Sequence, residues 1–154
     1  MTSGEAMLAD ATATAAWGAA LAGVLRAGDV VALSGSLGAG KTSFARGTLA
    51  ALGLEGEAPS PSFPIVIAYD VPDVGVPLWH VDLYRIEDED EIEELGLDEA
   101  RLDAALLIEW PERMGGLLWP DTLRLAFEPA PHGGRRLTWI APAAWEARWP
   151  PPQL

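Results

Sequence analysis

A mixed β-sheet flanked by helices, parallel in its middle and antiparallel toward the C-terminus, is the fold class this 154-residue chain predicts. Three observations carry that prediction. A glycine-rich stretch at 35–42 stands between a short apolar run and a helical pattern. A second continuous apolar run, Ala104–Ile108, has the composition of a strand buried on both faces. Near the C-terminus, Leu123–Glu128 and Arg136–Ile140 alternate apolar and polar residues around a Pro/Gly turn, as an antiparallel hairpin does.

The glycine-rich stretch reads Gly35-Ser36-Leu37-Gly38-Ala39-Gly40-Lys41-Thr42 and fits the phosphate-binding pattern of Gly, four residues, Gly, Lys, then Ser or Thr. Glycines lack a Cβ, so the backbone can take positive φ and turn its N–H groups toward an anion. Lys41 would place its ammonium on the β- and γ-phosphates, and the Thr42 hydroxyl would ligate Mg²⁺. Val30-Val31-Ala32-Leu33 before the loop reads as a buried strand. Ser43–Leu52 after it reads as a helix with Gly53 as its stop, and the helix N-terminus favours a negative ligand. Lys41 is the only lysine; the other nine basic residues are arginines. Arginine cannot replace a compact ammonium in a tight phosphate nest. The fold is therefore expected to be P-loop NTPase-like.

The remaining elements follow in order. Residues 1–9 show no regular pattern and are expected to fray. Asp10, Thr12 or Thr14 can cap a helix from about Ala15 to Leu25. Residues 55–64 form an irregular loop, because Pro61 and Pro64 fix φ and remove donors. Ile65–Tyr69 reads as a strand and Asp70–Pro77 as a turn. In the strand Leu78–Arg85, Trp79, Val81 and Leu83 point one way, and His80, Asp82 and Tyr84 the other. Residues 88–95 predict an acidic helix stopped by Gly96. Ala143–Trp149 predicts a last short helix, with the three prolines after it expected to be disordered. The chain reads as one domain.

Composition excludes several functions. There is no cysteine, hence no disulfide or thiolate chemistry. No run of eighteen apolar residues and no basic leader are present, so a cytoplasmic protein without a membrane role is expected. The net charge is −13, with nine acids and no base between Glu87 and Glu99. So acidic a chain is a poor direct binder of nucleic acid, and any RNA contact would come through a partner.

A phosphate loop needs acids on a neighbouring strand to hold Mg²⁺ and orient water. Glu109 ends the Leu106-Leu107-Ile108 run, and Asp82 lies on the polar side of its strand. Either can bind Mg²⁺ directly or through water, and Glu109 can orient or deprotonate the attacking water; the bland alternatives are a surface acid and a helix-capping acid. Ser62 has a hydroxyl able to reach a γ-phosphate, although a turn role is commoner for such a residue. A lone His80 is more often structural. Trp110 belongs either to the core or to a stacking position, and Arg85 either to the reaction or to the acids beside it.

Together these residues resemble the TsaE (YjeE) family, the bacterial P-loop ATPases of tRNA threonylcarbamoyladenosine synthesis. The matching pieces are Leu33–Thr42, Ser60-Pro61-Ser62-Phe63, His80-Val81-Asp82-Leu83-Tyr84-Arg85, Glu94-Leu95-Gly96-Leu97 and Ile108-Glu109-Trp110-Pro111, in the family's order over residues 10–128. The resemblance implies an ATPase that works with TsaB and TsaD and meets tRNA only indirectly. It implies ATP or ADP and Mg²⁺ at Ser36, Leu37, Gly38, Ala39, Gly40, Lys41 and Thr42, with Ser62 in a switch-like loop and Trp110 at a functional position. Asp82 and Glu109 would be the essential acids and, with Thr42, the metal ligands. The family usually has an acid where Ser36 stands and threonine where Ser62 stands. A small-molecule kinase lacks support, since no arginine-rich lid is visible. A GTPase would need a second lysine in its guanine-reading motif, and a nucleotide-dependent interaction protein would bind without turnover.

Overall fold

A computed structural model of the chain describes every residue except Leu37, Ala39, Ser62, Phe63, His132, Gln153 and Leu154. Seven strands form one sheet: β1 (Thr2–Leu8), β2 (Val30–Ser34), β3 (Val66–Tyr69), β4 (Leu78–Asp82), β5 (Ala105–Glu109), β6 (Leu123–Pro129) and β7 (Arg135–Ala141). Their spatial order is β1-β7-β6-β2-β5-β4-β3. The pairs β2–β5, β2–β6 and β4–β5 are parallel; β1–β7, β6–β7 and β3–β4 are antiparallel. The expected mixed sheet is therefore observed, with four parallel strands at its centre.

Helices cover both faces. On one lie α1 (Ala11–Ala22) and α2 (Lys41–Ala51); on the other lie α3 (Glu89–Glu94), α4 (Leu97–Ala100) and a 3-10 segment over Pro111–Leu117. The alternation of β4 and β5 separates the two cores. Leu78, Ala105 and Leu107 pack toward α1 and α2, whereas Val81, Leu106 and Ile108 pack toward the other layer. Every residue of β5 is buried, as its unbroken apolar run requires.

The first two helices touch backbone to backbone. A Cβ on Gly18 would strike the carbonyl of Phe44, and one on Gly47 would strike the carbonyl of Ala15. The buried Thr48 Oγ1 lies 2.9 Å from the Gly18 carbonyl oxygen and stitches α2 to α1. Asp10 caps α1 by accepting from the Ala13 N–H at 2.8 Å, so the helix starts several residues before the sequence pattern predicts.

The expectation that residues 1–9 fray is overturned. Thr2–Leu8 pairs along its whole length with β7. Its inward positions are Gly4, Ala6 and Leu8, small or lone apolar groups that leave no strand signature. Gly4 lies under Trp139, where a Cβ would come within 2.6 Å of the indole. Trp17, Trp139 and Trp149 form a cluster with centroids 5.5 to 5.9 Å apart. At the other terminus the last helical piece is only a 3-10 turn, Ala143–Trp145, and the proline run expected to be disordered packs against the fold, with Trp149 and Pro151 buried. Arg148 holds this segment through a bidentate ion pair to Asp29 at 2.7 and 3.0 Å. Among the described residues, no helix is long and apolar enough to cross a membrane.

Candidate functional site

The loop at 35–40 leaves the C-terminal end of β2, at the centre of the parallel strands, and enters α2. Gly35, Gly38 and Gly40 have φ of 138°, 78° and 114°. Only glycine takes these angles without strain, so the loop can curl beside the first turn of α2. Gly40 is the N-cap of α2 and supplies no side-chain cap, which leaves the orphan N–H groups of the first turn available to a ligand. The loop opens on a cleft of about 340 Å³ lined in part by Lys41, Thr42, Asp82, Glu109 and Trp110.

Lys41 is the electrostatic centre of the cleft. It is 4 % exposed, and its Nζ donates to the Gly35 carbonyl at 2.7 Å. The same ammonium lies 4.2 Å from the centroid of Trp110, a cation–π distance. Burial pulls the Lys41 pKa below the ordinary lysine value; the carboxylates of Glu109, Asp82 and Glu112 oppose that pull.

The two acids come together through strand register. Asp82 pairs with Glu109 across β4 and β5, so both side chains leave the same end of the parallel sheet. Both are buried. Asp82 Oδ1 accepts from the Tyr84 N–H at 2.9 Å, and Glu109 Oε2 lies 2.8 Å from His80 Nε2. Trp110 follows Glu109 with φ 59° and ψ 51°, a left-handed conformation uncommon for a bulky residue. That turn sets its ring over Lys41 and 4.9 Å from the ring of Tyr84.

The predicted site residues divide as follows. Gly38, Gly40, Lys41, Thr42, Asp82, Glu109 and Trp110 line one cleft. Ser36 is exposed and is not among the lining residues. Leu37, Ala39 and Ser62 lie outside the described residues. Arg135, which the sequence offers only as one of the basic residues near the C-terminus with Arg136 and Arg148, reaches the cleft from the start of β7 and donates to the Gly38 carbonyl at 2.7 Å. The glycine pair at 133–134 was the available signal, because it turns the hairpin back over the loop. His80, read as structural, contacts Glu109 directly.

The donor set fits a magnesium–nucleotide. No group of three or more His, Asp or Glu that could hold a metal ion occurs among the described residues. Two buried carboxylates and a threonine hydroxyl beside an anion cradle suit a cation that keeps waters and takes its other ligands from phosphate. The buried ammonium of Lys41, held on a backbone carbonyl, is a group that a phosphate would satisfy better.

Sheet order, loop geometry and the acids at the ends of neighbouring parallel strands define a P-loop-type α/β protein. Residues 8–137 match the family model described as "Threonylcarbamoyl adenosine biosynthesis protein TsaE". The chain belongs to the TsaE family. It is 45% identical to the tRNA threonylcarbamoyladenosine biosynthesis protein TsaE of Streptomyces coelicolor over 114 residues, covering 73% of this chain and 77% of the relative. It is 37% identical to the Mycobacterium tuberculosis protein of the same name over 144 residues, 88% of this chain and 86% of the relative. The fold resembles the crystal structure of YdiB from Bacillus subtilis with a TM-score of 0.77 at 29% identity, covering 91% of this chain and 86% of that one.

Proposed function

We propose that this chain binds ATP with Mg²⁺ in the cleft and hydrolyses it to ADP and phosphate, as a component of the machinery that makes threonylcarbamoyladenosine in tRNA. Its partners in this reading are TsaB and TsaD, and its place is the cytoplasm. The observation that carries the reading is Lys41: a buried ammonium at the head of α2, between a glycine loop and the paired carboxylates of Asp82 and Glu109.

The chain's own groups divide the work. The loop from Ser36 through Leu37, Gly38, Ala39 and Gly40 and the first turn of α2 receive the phosphates through backbone N–H groups. Lys41 moves from the Gly35 carbonyl onto the β- and γ-phosphates, and Trp110 keeps that ammonium shielded until it does. Thr42, Asp82 and Glu109 would hold Mg²⁺, directly or through water, and the Ser62 hydroxyl would serve the γ-phosphate or that ion. The ion supplies neutralisation of charge on the phosphates. Glu109 accepts a hydrogen bond from the attacking water. The water oxygen bonds to the γ-phosphorus, and the bond from that phosphorus to the oxygen kept by ADP breaks. One water proton stays on the phosphate product and the other leaves through the carboxylate. Catalysis of this kind is positioning and electrostatic stabilisation.

A net charge of −13 supports the view that tRNA is reached through the partner proteins. The test is ATP turnover measured with and without TsaB–TsaD and tRNA: slow turnover alone and faster turnover in the complex are expected. Glu109→Gln should lower turnover in the complex while leaving nucleotide binding in place. Unchanged turnover would remove Glu109 from the water-orienting role.

A further inference from the structure

We infer that His80 is a positioning residue that fixes the Glu109 carboxylate from behind the cleft. The inference rests on Glu109 orienting water, the role proposed above.

His80 and Asp82 lie two residues apart on β4 and so face the same side of the sheet. Across the parallel pairing, His80 is in register with Leu107 and Asp82 with Glu109. Glu109 therefore leaves β5 beside Asp82 and turns one oxygen back, putting Oε2 at 2.8 Å from His80 Nε2. Both side chains are buried, at 4 % and 6 % exposure. A carboxylate that works as an acceptor toward water can only accept when ionised, and in that role it draws its hydrogen in this contact from Nε2. The other ring nitrogen, Nδ1, is buried and has no hydrogen-bond partner among the described residues. A histidine kept for packing alone would tie both nitrogens to the fold. Among the described residues, the hydrogen bond of this ring goes to Glu109.

The cleft sees one of the two residues. Glu109 lines it and His80 does not. With Oε2 taken by the imidazole, Oε1 is the oxygen left for the cleft. A glutamate has three rotatable bonds; tying one oxygen to a ring locked between strands removes most of that freedom. Outer groups that orient a working carboxylate or ligand this way commonly matter by 10–100-fold.

The test compares two replacements of similar length, His80→Gln, which can still donate to Glu109, and His80→Met, which cannot. ATP turnover is measured in the reconstituted complex, with thermal unfolding recorded for each variant. His80→Met should lower kcat by about tenfold or more with KM within about threefold, and His80→Gln should recover most of the loss. In a Glu109→Gln background the same His80→Met change should cost less than about twofold. Equal kcat for folded Gln and Met variants overturns the inference. So does full additivity with Glu109→Gln. If Glu109→Gln alone leaves kcat unchanged, the water-orienting role of Glu109 fails first and takes the inference with it. A slow Glu109→Gln beside a fast His80→Met removes only His80. Should His80→Met fail to fold, His80→Leu takes its place as the variant without a donor.

Discussion

The ammonium of Lys41 rests 2.7 Å from the carbonyl oxygen of Gly35, inside its own loop. A triphosphate entering the cleft must take that ammonium over. Lys41→Ala is expected to abolish nucleotide binding, and Lys41→Arg should not restore it, because a planar guanidinium does not fit the nest. Isothermal titration with ATP and Mg²⁺ checks both; micromolar binding retained by Lys41→Ala would overturn the phosphate-loop reading.

Lys41 also makes a pH prediction. Burial lowers its pKa, so in the window below the ordinary lysine value the unfolded chain binds more protons than the folded one. Stability from this group therefore rises with pH through that window, and its charged form is a constant penalty below it. Because Lys41 is the only lysine, Lys41→Met should remove the rise. Denaturant unfolding of both proteins across the alkaline range below pH ~10 measures it. Parallel curves would show that Lys41 is not desolvated.

Gly18 and Gly47 let α1 and α2 meet without side chains between them. A methyl group at either position strikes backbone, which cannot swing aside. Gly18→Ala and Gly47→Ala should each lower stability by roughly 3 kcal/mol. Chemical denaturation gives the values. A loss within about 0.5 kcal/mol, as for an ordinary surface change, would contradict the close helix contact.

Tyr69 presents a buried hydroxyl with no partner among the described residues, and burial raises its pKa. Removing the hydroxyl removes an uncompensated polar group. Tyr69→Phe should leave stability unchanged or raise it by up to about 1 kcal/mol. A melting temperature lowered by several degrees would reveal a partner for that oxygen.

Arg135 bridges the β6–β7 hairpin to Gly38 through Nη2 and holds the Gly134 carbonyl through Nη1 at 2.8 Å. Removing it frees the phosphate loop and takes a cation from the cleft. Arg135→Ala should weaken ATP binding about tenfold, the loss of one charge-assisted contact. Arg135→Lys should recover only part, since one compact ammonium lacks the two separate guanidinium nitrogens that reach Gly134 and Gly38. Titration of each variant with ATP reads the difference, and unchanged affinity would confine Arg135 to the hairpin.

What the linear order of residues determines here is local. Three glycines that accept positive φ, a lysine and a threonine at fixed spacing, and an apolar run on each side specify the loop between β2 and α2. The same is true of Glu109 and Asp82, which end or alternate along apolar strands. Tertiary structure decided what depends on residues far apart in the chain. The strand β1 exists because β7 offers it a row of hydrogen bonds, and its Gly4 and Ala6 carry no strand signal of their own. Arg135 belongs to the cleft because the hairpin folds back on a loop nearly a hundred residues earlier. His80 became a partner of Glu109 only when β4 and β5 paired in one register of several, and register is set by burial of whole faces. Spacing can name the residues of a loop; which side chains meet across a sheet is settled by how the strands pack.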